Sequence, residues 1–131
     1  GLTRGTGRSH IIRAALEAIA YQTRDVLEAM EADTHVDMAS LRVDGGASQN
    51  GFLMQFQADI LNRCVEQPEI VESTAMGAAL LAGLTVGFWK DKDEARSSHR
   101  LARVYEPAMS DEEREKNYNG WKEAVAHTLT K

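Results

Sequence analysis

The sequence predicts an α/β fold in which helices flank a narrow parallel sheet. Stretches with apolar residues at helical spacing alternate with two short strand-like runs, in the order helix, strand, helix, strand, helix, helix. Two parallel strands need a crossover helix between them, and this order supplies one. The 131 residues suffice for one domain but not for two.

Residues 10–32 carry the apolar period of one long helix, for which Ser9 is the predicted N-cap. A second helix is predicted to begin near residues 48–50 and to end at about Asn62. Residues 74–84 predict a third helix made largely of alanine and glycine. Because small residues allow close backbone approach, we expect this helix to be buried against a sheet or another helix.

The last helix has a clear start signal, since Ser110 is followed three positions later by Glu113 in the pattern of a capping box. Before it, residues 90–100 form a charged stretch that we expect to be solvated, and Val104-Tyr105 is a candidate extended segment. The two strands are predicted at residues 41–44 and 64–66. Two short strands are few for this many helices, so the sheet looks like part of a wider one.

The composition excludes several classes of function. A net charge of −5 disfavours nonspecific binding to nucleic acid or to an anionic membrane, both of which need a basic face. The chain has no apolar run of about 18 residues, the length of a membrane span, and no signal core. A single cysteine, Cys64, fits a reducing cytoplasm, and no His or Cys residues stand at metal-ligand spacing. We therefore expect a cytoplasmic protein without a structural metal.

One segment has a direct chemical interpretation, the run of residues 43–50, which leads from a strand through Gly45-Gly46 to a helix N-terminus. Such an N-terminus offers free N–H groups to an anionic phosphate, and glycines let the backbone approach a ligand closely. The Asn50 amide both donates and accepts, so it could bind a base or ribose edge. The run is neither a Walker A loop nor G-x-G-x-x-G, and a Gly-Gly turn is often a plain connection. Both interpretations stay open on this pattern alone.

Other segments carry a resemblance to a known family. Gly1-Leu2 is followed after seven residues by His10-Ile11-Ile12-Arg13-Ala14-Ala15-Leu16-Glu17. The matching runs continue through residues 15–30, 44–50, 52–61, 77–84, 87–89 and 120–122. Together these segments resemble the FGGY carbohydrate kinases, and within that family the branch that phosphorylates glycerol. The resemblance covers essentially the whole chain.

The resemblance implies an actin-like ATPase (ribonuclease H-like) fold, with two α/β domains around a nucleotide cleft. It also implies transfer of the ATP γ-phosphoryl group to a glycerol hydroxyl, with Mg²⁺. The glycines matching Gly45 and Gly46 would contact the phosphate and ribose side of ATP or ADP. Ala47 would offer its backbone N–H, and Asn50 would lie on the adenine side.

The resemblance further implies that residues 1–131 are a partial C-terminal domain carrying the nucleotide side. In the family, the catalytic base, the glycerol-binding residues, the first phosphate-binding loop and three strands of the sheet precede this region. We therefore expect no catalytic residue and no metal ligand here, no kinase activity from these residues alone, and weak nucleotide binding at best. An incomplete sheet would leave an open edge, so we also expect a homo-oligomer.

Some alternatives remain. Asp44 either shapes the glycine turn or acts near the nucleotide, and Glu72 is another candidate carboxylate. Glu113 is expected as the capping partner of Ser110, although in some bacterial relatives this helix start is a regulatory docking surface. The protein could instead be another sugar or polyol kinase of the family, or the chain could act only as an association module.

Three positions depart from the pattern of the family. Gly51 stands where an asparagine is common, Met76 stands where a leucine is common, and residues 34–37 are not the usual loop. None of these positions is expected to touch the nucleotide.

Overall fold

A computed structural model describes residues 2–70, 73–97 and 100–129, so Glu72 lies outside the described residues. The predicted order of helices and strands is confirmed, and one short helix and one strand are added before the last helix. In chain order the elements are α1 (Arg8–Thr34), β1 (Ser40–Arg42), a 3-10 turn (Gly46–Gln49), α2 (Gly51–Leu61), β2 (Cys64–Pro68), α3 (Ser73–Thr85), α4 (Lys92–Ser97), β3 (Leu101–Tyr105) and α5 (Asp111–Thr128).

The three strands form one sheet in the order β1-β2-β3. The predicted parallel pair is confirmed, with Leu41 of β1 opposite Val65 of β2. The third strand, expected only as a short extended segment, pairs with β2 in the antiparallel direction, with Tyr105 opposite Val65. Its register shifts at Pro68, where proline cannot donate a ladder hydrogen bond.

The core lies between α2 and the sheet and extends to α1. Leu53 and Ile60 of α2, Val65 of β2 and Ala20 of α1 are each at most 2% exposed. Since α2 brings apolar residues to several sides of the helix, it is the central helix of the fold. Its buried apolar neighbours in the same cluster are Met54, Phe56, Ala58 and Tyr105.

The predicted start of α1 is wrong by two residues. The N-cap is Gly7 rather than Ser9, and its N–H donates to His10 Nδ1 at 3.1 Å, which gives this exposed helix start a side-chain acceptor. The helix also continues two residues beyond the predicted end. It ends where His35 adopts a left-handed conformation, with φ of 55°, and donates its N–H to the Glu31 carbonyl.

The burial predicted for α3 is wrong in the described part of the chain. A close approach does occur, because a Cβ on Gly83 would overlap the Trp89 ring. However, Ala75, Ala78 and Ala82 are exposed, since α3 makes its main contacts with α4 rather than with the sheet. Among the residues described, no helix has the length and apolar character needed to cross a bilayer.

The charged stretch before β3 is exposed at residues 90–94, as predicted, and it contains α4, which was not predicted. Asp91 Oδ1 accepts the backbone N–H groups of Asp93 and Glu94, at 3.1 and 2.9 Å, and so starts this helix. The Asp91-x-x-Glu94 spacing is an N-terminal helix signal that the sequence interpretation missed. The predicted start of α5 is confirmed, because Ser110 Oγ accepts the Glu113 N–H at 3.3 Å.

Two groups of hydrogen bonds fix α5 against α1 and α2. The Tyr118 hydroxyl lies 2.6 Å from Asp25 Oδ1 and 3.0 Å from Glu28 Oε2, and Trp121 Nε1 donates to Asp25 Oδ2 at 2.8 Å. The buried Asp59 of α2 accepts from the N–H groups that precede α5. We call Asp25, Glu28, Asp59, Tyr118 and Trp121 the helical clamp.

Candidate functional site

The glycine turn, which we define as residues 44–50, follows directly on β1 at the carboxyl end of the parallel pair. Ligands of open α/β sheets bind at this end of the strands. Val43 extends the pairing by donating its N–H to the Glu66 carbonyl at 3.1 Å, so the turn begins at a fixed point of the sheet. All four candidate residues named above lie in this turn, within six positions of each other.

Gly45 has a backbone conformation that requires glycine. Its φ of 76° and ψ of 176° lie in a region essentially restricted to residues without a Cβ. Its carbonyl accepts both the Ser48 N–H at 3.2 Å and the Ser48 hydroxyl at 2.7 Å. Ser48 is 1% exposed, so this double contact holds the turn from the protein side. The pattern of residues did not single out Ser48, because a lone serine in a loop is usually solvated.

Gly46 has a different reason for being glycine. Its φ is not positive, and apart from its chain neighbours a Cβ placed on it would meet no atom of the described residues within 4 Å. Neither backbone strain nor packing therefore excludes a side chain here. The open space next to its backbone suits the close approach of a bound molecule, and the following residue, Ala47, is also exposed.

Asn50 caps α2 and has less free hydrogen-bonding capacity than the sequence suggested. Its Oδ1 accepts the Leu53 N–H at 3.1 Å, and its own carbonyl accepts the Met54 N–H at 3.0 Å. The side chain is exposed, and within the described residues its amide nitrogen donates to no protein acceptor. One of the two acceptor positions of the Asn50 oxygen is thus used by the helix, and the amide nitrogen is fully available to a ligand.

The two helix starts in the turn carry partial positive charge. The N–H groups of Gly46 and Ala47 begin the 3-10 turn, and those of Gly51 and Phe52 begin α2, so none has an acceptor inside its own helix. The first turn of α2 contains no acidic residue that would offset the partial positive charge of this helix end. Such an arrangement favours an anion next to the turn.

A cleft of about 310 Å³ opens beside the turn, between the sheet and α3. Its charged lining residues are Arg42, Asp44, Glu66 and Arg100, and Ile70 and Met76 belong to its apolar lining. The methionine that replaces the usual leucine thus remains in an apolar wall. Asp44 is the first residue of the turn and makes contacts of its own in the structure.

An ion pair between Arg42 and Glu66 lies at the rim of this cleft. Arg42 Nε lies 3.0 Å from Glu66 Oε2. This hydrogen bond, followed by one from Ser40, lowers the pKa of Glu66 below its ordinary value. Arg42 is 77% exposed, so the pair is solvent-screened and contributes little to stability.

The departure at Gly51 leaves the site intact. A Cβ at this position would lie 3.7 Å from the Tyr105 hydroxyl, an ordinary van der Waals distance, so the common asparagine would also fit. In the described part of the chain, no three His, Cys, Asp or Glu side chains come together as a candidate metal site. The turn thus offers backbone donors together with polar side chains, among them the Asp44 carboxylate and the Asn50 amide.

The family model that matches residues 1–86 is described as the C-terminal domain of the FGGY family of carbohydrate kinases. This chain belongs to that family. The turn and its helices α1 and α2 lie inside the matched region, as does most of α3.

Bacterial relatives are similar over nearly the whole chain. A glycerol kinase of Alkaliphilus oremlandii is 62% identical over 129 residues, which are 98% of this chain and 26% of the relative. A glycerol kinase of Caldanaerobacter subterraneus is 59% identical over the same shares of both chains. This chain therefore spans about a quarter of the length of the relatives that it matches.

Solved structures confirm the fold. The structure of Plasmodium falciparum glycerol kinase with ADP matches with a TM-score of 0.89 and 39% identity, covering all of this chain and 26% of that one. The structure of xylulose kinase from Rhodospirillum rubrum matches with a TM-score of 0.78 and 25% identity, covering 97% of this chain and 26% of that one. The chain thus has part of the actin-like α/β fold of these kinases.

Proposed function

We propose that this chain supplies the nucleotide side of the active site of an ATP:glycerol phosphotransferase. The observation that carries the proposal is the glycine turn, where a strand end, an open space over Gly46 and the start of α2 lie together. The Plasmodium glycerol kinase, to which the chain is similar, was solved with ADP, which supports a nucleotide as the ligand.

The four candidate residues of the turn have roles that follow from their backbone and side-chain geometry. The N–H groups of Gly46 and Ala47 would face the phosphate and ribose side, where Gly45 provides the bend that presents them. The Asn50 amide nitrogen would donate to the adenine ring, whose nitrogen atoms accept hydrogen bonds. Mg²⁺ would arrive with the nucleotide and neutralise charge on the phosphates.

The 131 residues would then act as the C-terminal part of a longer kinase. Phosphoryl transfer needs a carboxylate near the acceptor hydroxyl and ligands for Mg²⁺. Asp44 is the one carboxylate of the turn, and we propose that the catalytic base comes from the rest of the longer protein. The relatives are about four times as long as this chain, which leaves room for a second domain that would bind glycerol. We expect these residues alone to bind nucleotide weakly and to have no kinase activity.

Glycerol is the acceptor that we favour. Identity is 59% or more to the glycerol kinases of two bacteria but 25% to a xylulose kinase. A sugar or polyol kinase of another specificity is the second candidate, because the acceptor-binding residues would lie in the other part of the protein. An assay with glycerol and xylulose as competing acceptors separates the two in the longer protein.

We also propose a cytoplasmic location and a homo-oligomer. The single cysteine fits a reducing compartment, where ATP is available. The free edge of β1 offers main-chain groups to a second chain. If the chain is only an association module, it will self-associate and show no response to nucleotide.

The test is calorimetric titration of Mg²⁺-ADP into the 131-residue chain and three Asn50 variants. Asn50→Ser and Asn50→Asp keep an acceptor for the Leu53 N–H but lack the amide donor, whereas Asn50→Ala lacks both. We expect saturable weak binding of Mg²⁺-ADP to the parent chain. All three variants should lose at least about fivefold in affinity, because one hydrogen bond to the ligand contributes about this much.

The outcomes separate a ligand role from a structural one. If Asn50→Ser binds ADP like the parent chain while Asn50→Ala loses stability, Asn50 is only a helix cap. If the folded parent chain shows no saturation, with folding verified by circular dichroism, the turn is not a half-site by itself.

A further inference from the structure

The peptide that joins Gly45 to Gly46 determines which group the glycine turn presents to a ligand. In a planar trans peptide the carbonyl and the following N–H point in opposite directions. No cis peptide bond occurs among the described residues, so the Gly45 carbonyl and the Gly46 N–H point to opposite sides of the turn. If the carbonyl is directed into the protein, the N–H is directed toward solvent.

Ser48 holds the carbonyl of this peptide from inside the protein. Its hydroxyl donates to the Gly45 carbonyl oxygen at 2.7 Å, and its N–H donates to the same oxygen at 3.2 Å. Since Ser48 is 1% exposed, the carbonyl points to the buried side of the turn. The Gly46 N–H is therefore directed away from Ser48, at an exposed residue with open space next to its backbone.

Steric hindrance alone would not hold the peptide in this orientation. At its φ of 76°, a flip of the peptide would bring ψ of Gly45 from 176° to about 0°, a left-handed region that is open to glycine. The same flip would give Gly46 a positive φ, which glycine also adopts readily. Because both flanking residues lack a Cβ, either orientation is sterically accessible. A flipped peptide would present a carbonyl oxygen where the N–H now lies.

We propose that Ser48 is a positioning residue of the nucleotide site. It holds the Gly45-Gly46 peptide so that the N–H, and not the carbonyl oxygen, faces the phosphate groups. The Ser48 side chain would act only through this peptide and would not touch the nucleotide. This inference rests on the proposed function, in which the turn binds ATP or ADP.

The hydroxyl is the part of Ser48 that makes this position specific. Every residue except proline would offer the backbone N–H, whereas the hydroxyl adds a second and shorter hydrogen bond to the carbonyl. Loss of one such bond would shift the balance between the two peptide orientations by about fivefold. A carbonyl oxygen carries partial negative charge and would repel a phosphate group. The effect of Ser48 should therefore depend on the phosphates of the ligand and not on its base.

The first experiment compares the affinities of Mg²⁺-ADP and adenosine in titrations followed by nuclear magnetic resonance. Ser48→Ala in the 131-residue chain should weaken Mg²⁺-ADP at least about fivefold and leave adenosine within about twofold. Ser48→Cys keeps a weak donor and should fall between the two, and it replaces Ser48→Ala if that variant does not fold. Ser110→Ala, which loses a side-chain hydrogen bond at the start of α5, is the matched control and should change neither affinity. Asn50→Ser should weaken both ligands, because it would lose a bond to the adenine.

A second experiment observes the peptide without a ligand. Exchange between the two orientations changes the resonance of the residue 46 amide if it is fast, and gives relaxation dispersion if it takes microseconds to milliseconds. We expect Ser48→Ala to show this exchange in a chain that circular dichroism finds folded. In a Gly46→Ala background, Ser48→Ala should affect the same amide much less, because alanine disfavours the positive φ of the flipped peptide.

Three results would overturn the inference. These are equal weakening of Mg²⁺-ADP and adenosine by Ser48→Ala, an Mg²⁺-ADP affinity within about twofold of the parent chain, or an unchanged amide of residue 46. The first would make Ser48 a residue that only stabilises the turn. The proposed function fails separately, if the parent chain binds neither ligand, whereas normal binding by both parent chain and Ser48→Ala refutes only the role of Ser48.

Discussion

The glycine turn and the helical clamp use their polar groups in opposite ways. In the clamp, Tyr118, Trp121 and Asp59 direct their hydrogen-bonding groups at protein partners. In the turn, Gly46, Ala47 and the Asn50 amide face solvent with donors that no described residue uses. Both regions are polar, yet of the two only the turn has hydrogen-bond donors that remain available to a ligand. This difference separates the structural residues from the candidate binding residues.

The comparison also separates two glycines that look alike in the sequence. Gly45 is required by its backbone conformation, whereas neither the backbone nor the packing of the described residues requires a glycine at position 46. A residue that the fold does not need, in a position open to solvent, is the better candidate for direct contact with a ligand. Substitutions in the two regions should therefore change stability and binding independently.

The largest effect on stability is expected for Asp59→Ala in the clamp. Asp59 is 9% exposed, and its Oδ1 accepts from the Ala108 and Met109 N–H groups at 2.7 and 3.2 Å. Removing the carboxylate leaves these donors without an acceptor, so we expect a loss of about 3 kcal/mol in the free energy of unfolding, measured in urea. Glu112→Ala, at an exposed position of α5, is the control and should cost less than about 0.5 kcal/mol. Equal effects would show that Asp59 does not anchor the start of α5.

Gly45→Ala should have the next largest effect. A Cβ is strained at φ of 76° and ψ of 176°, and we expect a loss of about 2 kcal/mol in the free energy of unfolding. The variant should also bind Mg²⁺-ADP more weakly, because the turn must change shape to relieve the strain. A melting temperature equal to that of the parent chain would contradict the conformation described for the turn.

Alkaline pH should weaken the clamp before it affects the turn. Burial, then hydrogen bonds to Asp25 and Glu28, raise the pKa of Tyr118 above its ordinary value. Burial likewise raises the pKa of Tyr21, which stacks on Trp121, to about 12. Both pKa values are higher in the folded state than in the unfolded state. The contribution of the two tyrosines to the free energy of unfolding is therefore complete below the unfolded pKa of about 10, and it is lost as the pH rises through the folded pKa values.

The corresponding measurement is the free energy of unfolding at pH 9 and pH 11. We expect a decrease of up to about 1.4 kcal/mol per pH unit for each tyrosine above pH 10. Tyr118→Phe removes one of the two ionising groups and should reduce the decrease by about half. An unchanged pH dependence in Tyr118→Phe would mean that Tyr118 ionises equally easily in the folded and unfolded states.

Gly46→Ala should have the smallest effect on stability and a large one on binding. The new Cβ would meet no protein atom within 4 Å, so the free energy of unfolding should stay within about 0.5 kcal/mol of the parent value or rise slightly. The methyl group would occupy the space over the turn, and we expect Mg²⁺-ADP affinity to fall at least about tenfold. Unaltered affinity would remove Gly46 from the site.

Much of the fold could be predicted because its signals are local. The parallel pair follows from two strands with a helix between them, and the Ser110 cap follows from a four-residue pattern. The burial of α3 was predicted wrongly because small residues indicate close approach without indicating which element approaches. In the described chain the close approach is that of the Trp89 ring to Gly83, near the end of the helix.

The site was only partly predictable from the sequence. The pattern placed Gly45, Gly46, Ala47 and Asn50 together, since they are consecutive or nearly so. It could not show that the Asn50 oxygen accepts a hydrogen bond from the Leu53 N–H, because a helix-capping bond depends on the exact first residue of the helix. The two hydrogen bonds from Ser48 to the Gly45 carbonyl could not be predicted either, because they depend on the geometry of this turn.

The central claim, that the glycine turn is a nucleotide half-site, is tested most directly by nuclear magnetic resonance. Mg²⁺-ADP is titrated into the ¹⁵N-labelled chain, and amide shifts are followed residue by residue, which detects weak binding. We expect saturable changes in amide chemical shift that are concentrated in residues 44–52 and include the Asn50 side-chain amide. The amide shifts of α5 should stay unchanged. Shifts confined to the cleft around Arg42 and Arg100, or no shifts at millimolar ADP, would contradict it.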